Sequence, residues 1–100
     1  MKVYIYSIYD SKARAYLTPW FAPNHDMAFR NCTKACMKGS NAPFVDFPVD
    51  YTLFCIGEFD EDTGVLEGYF NQLNLGNFLQ FLPNDNTPQQ LGTADTVVTA

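Results

Sequence analysis

Lys2, Tyr4, Tyr6 and Ile8 alternate along the opening KVYIYSIY, and Arg14 and Tyr16 repeat the pairing of cation and ring a few residues later. Residues two apart on an extended chain point the same way. These strands would therefore carry basic and aromatic side chains on shared faces. Such a surface suits a single-stranded polynucleotide, because cations track phosphates while rings stack on bases, at about 1–3 kcal/mol per base. In this reading Tyr4, Tyr6, Tyr16 and Trp20 stack, and Lys2, Lys12, Arg14, Arg30, Lys34 and Lys38 meet phosphates. The last three are spaced by four, so a helix would set them in a rail, each lost contact lowering the salt slope by about one. The same residues also read without a ligand, with the tyrosines as core or interface and the lysines as ordinary surface. A whole-chain charge of −5 favours that second reading.

Other chemistries find less in the sequence. His25 is the one histidine, and at a helix start it reads as a surface or capping residue. One histidine cannot supply the paired-histidine metal site of a rolling-circle nuclease, and no G-x-S-x-G, P-loop or H-E-x-x-H pattern occurs. Cys32 and Cys36 lie four apart and could share zinc with Cys55 or His25. Cysteine is among the most buried residue types, however, so all three read as core. Glu58, Asp60, Glu61 and Asp62 only partly match a calcium loop, since Val65 stands where the EF-hand glycine belongs. A solvated hairpin tip fits them better. The expectation is a non-enzymatic protein with no catalytic residue, metal or cofactor.

The charges are unevenly spread. Six cations and two acids (Asp10, Asp26) fall within the first 38 positions, net +4, and the other nine acids follow from Asp46 onward, net −9. This asymmetry suggests a basic contact surface with an acidic counterpart elsewhere. One hundred residues, 47% hydrophobic and 16% aromatic, fit one globular domain. No apolar run reaches the ~18 residues of a membrane span. The Tyr-rich opening lacks a small-residue cleavage site, and an odd cysteine count builds no even disulfide framework, so an intracellular setting is expected.

The elements that would hold these residues can be read in order. VYIYSIY (3–9) is a strand by its β-branched and aromatic content. Asp10-Ser11-Lys12 turns the chain, and a shorter strand returns over 14–18. Pro19 and Pro23 should interrupt regular structure around Trp20 and Phe21. Asn24 caps a helix whose Ala28, Phe29, Cys32, Ala35 and Cys36 form one stripe, with Arg30, Lys34 and Lys38 behind it and Gly39 closing it. A loop follows, then a strand over 51–59, a DEDTG turn using Gly64, and a returning strand over 65–70. Leu75, Phe78, Leu79 and Leu82 at i, i+3, i+4, i+7 predict a second short helix stopped by Pro83. The polar remainder reads as a mobile tail.

Phe47 to Tyr69 poses a packing problem. Tyr51, Leu53 and Cys55 share one face of their strand, and Thr52, Phe54 and Ile56 the other. Apolar residues on both sides call for two covers. The helix supplies one, and a second copy of the chain is expected to supply the other.

Two motifs carry a resemblance. The D-S-K-A-R-A-Y of Asp10 to Tyr16 follows the first strand, and D-Y-T-L-F-C-I-G-E-F-D-E-D-T-G runs from Asp50 to Gly64. Together they resemble the small nonstructural protein of gokushoviruses, the single-stranded-DNA phages of the microvirus group. Asp10, Ser11, Lys12, Ala13, Ala15 and Tyr16 match the first motif. Asp50, Tyr51, Leu53, Gly57, Phe59, Asp60, Thr63 and Gly64 match the second. The resemblance spans about the first seventy residues. It implies a DNA-binding role in viral genome synthesis or packaging, in the cytoplasm of a bacterial host, and it assigns no catalytic residue.

The expected fold class is α+β: a small antiparallel sheet of about four strands against one main amphipathic helix, with a short second helix. The domain is expected over 1–82 and the tail over 83–100. Single-stranded DNA is the expected partner, with a homodimer or higher homo-oligomer and no membrane contact. An alternative is an adaptor touching viral replication or capsid proteins without DNA, which the acidic stretch from Asp46 to Glu67 would serve.

Overall fold

A computed structural model describes residues 1–37 and 41–82. The expected tail, Lys38 and Gly39 lie outside the described residues. The fold is α+β, as the patterning predicts, with five strands rather than about four. β1 (Lys2–Asp10) is followed by β2 (Ala15–Tyr16), β3 (Trp20–Ala22), the helix α1 (His25–Ala35) and a single helical turn α2 (Pro43–Asp46). A 3-10 turn over Pro48–Asp50 then leads into β4 (Tyr51–Asp60) and β5 (Leu66–Asn77), and a second 3-10 turn spans Phe78–Phe81. The sheet order is β2-β1-β4-β5, with β3 also pairing β1, and every pairing is antiparallel. Among the described residues no helix is long and apolar enough to cross a membrane.

Three sequence expectations are corrected. Pro19 and Pro23 do not dissolve the segment between them: Trp20–Ala22 pairs with Tyr4–Tyr6 as β3, because the prolines flank the paired residues and cost no ladder bond. The stretch 43–50 is not open loop; Pro43 and Pro48 each start a short helical turn, where the missing N–H does no harm. Leu75 belongs to β5 and not to the last helix, which is a 3-10 turn beginning at Phe78. Strand pairing with β4 overrides the helical spacing there, while Asn77 caps the turn by accepting from the Leu79 amide at 2.9 Å.

Local signals hold elsewhere. Asn24 is extended and its side chain accepts from the Met27 amide at 2.8 Å, capping α1. Gly64 turns the β4–β5 hairpin at φ +75°, a conformation open to glycine at little cost. Ala28, Cys32 and Cys36 are buried on the inner stripe of α1. They meet Tyr6, Ile8, Leu53, Cys55, Phe44 and Phe78 in one core between the helices and the sheet.

Candidate nucleic-acid interface

The pairing of β1 with β4 decides what each tyrosine can do. Tyr6 lies opposite Cys55 and Ile8 opposite Leu53. The face shared by Lys2, Tyr4, Tyr6 and Ile8 is therefore the face that α1 covers. Tyr6 is fully buried, its hydroxyl 2.7 Å from His25 Nδ1, and burial drives its pKa well up. Its ring has no free side to offer a base. Tyr4 is half-buried with its ring 5.6 Å from His25. Trp20 is half-buried against the core, its indole N–H donating to Asn31 Oδ1 at 3.1 Å.

Lys2 is engaged as well. Its ammonium meets Glu58 Oε2 at 2.7 Å, and the Tyr69 hydroxyl donates to Glu58 Oε1 at 2.9 Å. Both bonds hold the Glu58 carboxyl below its usual range. A depressed carboxyl stabilises the fold at pH values above its unfolded pKa of about 4.5 and loses that contribution as pH falls through the folded value. We therefore expect Glu58→Gln to be less stable than the parent at pH 7 and the two to converge as pH falls below the folded pKa of Glu58, as read by urea unfolding. A constant gap would assign the effect to packing.

The cations do not gather on one surface. Arg30 and Lys34 are exposed on α1, each two residues from an inward Ala28 or Cys32, and at 100° per residue this sets them on the outer side, away from the sheet. Lys12 and Arg14 project from the β1–β2 turn. That turn is closed by Asp10 Oδ1, which accepts from the amides of Lys12 at 3.0 Å and Ala13 at 3.2 Å, with Arg14 at φ +55°. Both cations are exposed, and neither joins the ion pairs found among the described residues.

Beside that turn, on the sheet face that α1 leaves uncovered, is a ring cluster the sequence reading missed. Tyr9 and Tyr16 face each other across β1 and β2 with ring centres 4.8 Å apart, and Phe54 stands 5.9 Å from Tyr16 and 6.4 Å from Tyr9. Tyr16 is 45% exposed. Its hydroxyl donates to Gln72 Oε1 at 2.7 Å, so a side chain of β2 reaches one of β5 over Phe54. The sheet must coil toward this face for its margins to meet. β5 helps, because residues 69–72 bulge out where it shifts register against Cys55 and Gly57.

Of the ten sequence-predicted residues, the structure leaves Lys12, Arg14 and Tyr16 exposed on one hairpin, seals Tyr6, pairs Lys2, half-buries Tyr4 and Trp20, and sends Arg30 and Lys34 to the outer side of α1. Lys38 lies outside the described residues. Alternation separates Tyr9 from Tyr6 and Phe54 from Cys55, but only register tells which set the helix covers.

The three cysteines are free and buried. Burial pushes the Cys32 thiol up to about 12 and raises Cys36 and Cys55 too, which keeps them from thiolate chemistry. Among the described residues no cluster of three His, Cys, Asp or Glu could hold a metal ion.

A family model described as "Phage ORF5 protein" matches residues 3–81. No curated protein and no solved structure matches the chain.

Proposed function

The chain belongs to the phage ORF5 protein family, and we propose that it is a non-enzymatic accessory protein that binds single-stranded DNA during viral genome synthesis or packaging. In this reading the phages are of the gokushovirus type and the protein works in the bacterial cytoplasm. The observation that carries the reading is the corner formed by Lys12, Arg14 and Tyr16. Two exposed cations there, in none of the ion pairs found among the described residues, share the turn and short strand with an exposed ring backed by Tyr9 and Phe54. Cations would take phosphates and the Tyr16 ring a base. Arg30 and Lys34 lie on the far side of the molecule, so one short strand cannot engage them and the corner together.

Fluorescence anisotropy of a labelled oligonucleotide, titrated at low and moderate salt, tests the proposal. Replacing Lys12, Arg14 and Tyr16 together by Ala is expected to weaken binding by about 100-fold, with the salt slope falling by about two. Replacing Arg30 and Lys34 should change affinity by less than about threefold. An unchanged affinity in the triple variant removes this site. Absence of binding by the parent chain removes the DNA reading.

The adaptor reading draws on a different observation. Phe21, Leu66 and Phe70 are all more than half exposed near the acidic β4–β5 hairpin, and a large exposed apolar patch marks a protein-contact surface. Loss of oligonucleotide binding together with capture of a replication or capsid protein of the same phage would favour it.

A further inference from the structure

The sheet face that α1 leaves uncovered continues from the Tyr9–Tyr16 corner to the β4–β5 hairpin, where among the described residues it carries no charge. Phe59 and Leu66 pair in one row, and Phe21, Ile5, Gly57 and Gly68 form the next. The Phe21 and Phe59 rings are 6.1 Å apart. Phe70 stands 99% exposed just beyond Gly68, and a side chain added at Gly68 would meet nothing within 4 Å. An exposed ring thus stands two residues along β5 from a glycine with open space above it.

We propose that a second copy of this chain covers this face, the two sheets packing face to face with their strands antiparallel. Charge decides the occupant and its direction. Glu61 and Asp62 form the hairpin tip beyond the Lys2–Asp60 pair, while Lys12 and Arg14 form the turn beyond Asp10. At about 3.4 Å per residue, tip and turn each lie roughly 15–20 Å from the Ile5 row, in opposite directions. A two-fold axis running across the strands at that row therefore sets the acidic tip of each copy over the basic turn of the other. The facing groups come within about a Debye length, where they attract. An axis along the strands would instead stack tip on tip and turn on turn, like charge against like. Asp62 also meets the amino group of Met1, which leaves Glu61 as the more available carboxylate.

In the antiparallel pair Gly68 faces the partner's Gly68, and Phe70 of each copy, two residues from that row, packs over the partner's exposed Leu66. The interface is isologous, so each contact is made twice, and burying exposed rings is its main driving force. It does not rest on the DNA reading. The two meet at Lys12 and Arg14, for which an oligonucleotide and the second copy compete.

Sedimentation equilibrium of the full chain without DNA, from micromolar to a few hundred micromolar, provides the test. The parent should show twice 11.3 kDa at the upper concentrations. Phe70→Asp, at a side chain that contributes nothing to the core, should raise the dimer dissociation constant about 100-fold while the circular dichroism stays unchanged. Reversing either charge set, Lys12→Glu with Arg14→Glu or Glu61→Lys with Asp62→Lys, should weaken the dimer about tenfold. Combining all four reversals should restore it. A parent that stays monomeric overturns the proposal, and so does a dimer indifferent to Phe70→Asp. Failure of the fourfold variant to recover the dimer overturns the antiparallel arrangement. Oligonucleotide binding is read separately, so the loss of one proposal does not carry the other with it.

Discussion

Phe78→Ala should remove about 3–5 kcal/mol of folding stability, close to what the whole domain holds in reserve. Phe78 is fully buried where β5 gives way to the closing 3-10 turn. Its ring centre lies 4.8 Å from Phe44 and 5.0 Å from Phe81. It also lines a largely apolar pocket of about 260 Å³, open to the surface, with Ile8, Trp20, Asn31, Cys32 and Phe44. Truncation would enlarge a space that the neighbours already fail to fill, so little relaxation is available to recover the lost contacts. For a domain of this size that loss lowers the melting temperature by roughly 15–30 °C. Leu79→Ala is the control: the next residue is 56% exposed, and its truncation should stay within about 0.5 kcal/mol. Thermal and urea unfolding of both variants provide the measurement. A Phe78→Ala cost under 1 kcal/mol would mean that the ring does not tie α2 and the C-terminal turn to the sheet.

Gly57→Ala should cost about 1–3 kcal/mol through crowding alone. A Cβ at Gly57 would stand 2.6 Å from the Glu67 carbonyl oxygen and 3.3 Å from both the Gly68 Cα and the Ile5 Cδ1. Two of those neighbours are backbone, and they belong to the ladder that pairs β4 with β5. Relief would have to come from separating the strands beside the bulge at Ile56, where the register already shifts on both sides of β4. Gly68→Ala sits directly across the ladder and meets open space, so it should be neutral or slightly stabilising. Equal costs in the two variants would point to a general loss of backbone freedom in the hairpin instead of a close approach at one position. Chemical unfolding with amide exchange on β5 separates these outcomes.

The two substitutions also show where sequence patterning reaches its limit. Leu75, Phe78, Leu79 and Leu82 satisfy a helical period, yet Leu75 is strand and Phe78 is the core residue of a 3-10 turn. A period describes the apolar positions of an isolated segment, and pairing with β4 competes with it once the sheet is assembled. Gly57 carried no local sign of crowding, because its neighbours come from β5 and β1.

The candidate site divides the same way. Lys12, Arg14 and Tyr16 were visible as cations and a ring flanking a turn, since turn chemistry is local. The sealing of Tyr6, the engagement of Lys2 by Glu58 and the reach of Tyr16 to Gln72 all depend on partners 50 or more residues away, or on the helix layer.

By itself the sequence determined the cap at Asn24, the inner stripe of α1, the twice-apolar strand β4 and the turn at Gly64. Each follows from side-chain spacing or from backbone preference within a few residues. Only the tertiary structure decided which face of β1 the helix covers. Alternation sorts the odd and even side chains into two sets with equal certainty, and a one-residue change of register would exchange them. The pairing of Tyr6 with Cys55 made that choice, and with it left Tyr9, Tyr16 and Phe54 on the uncovered side.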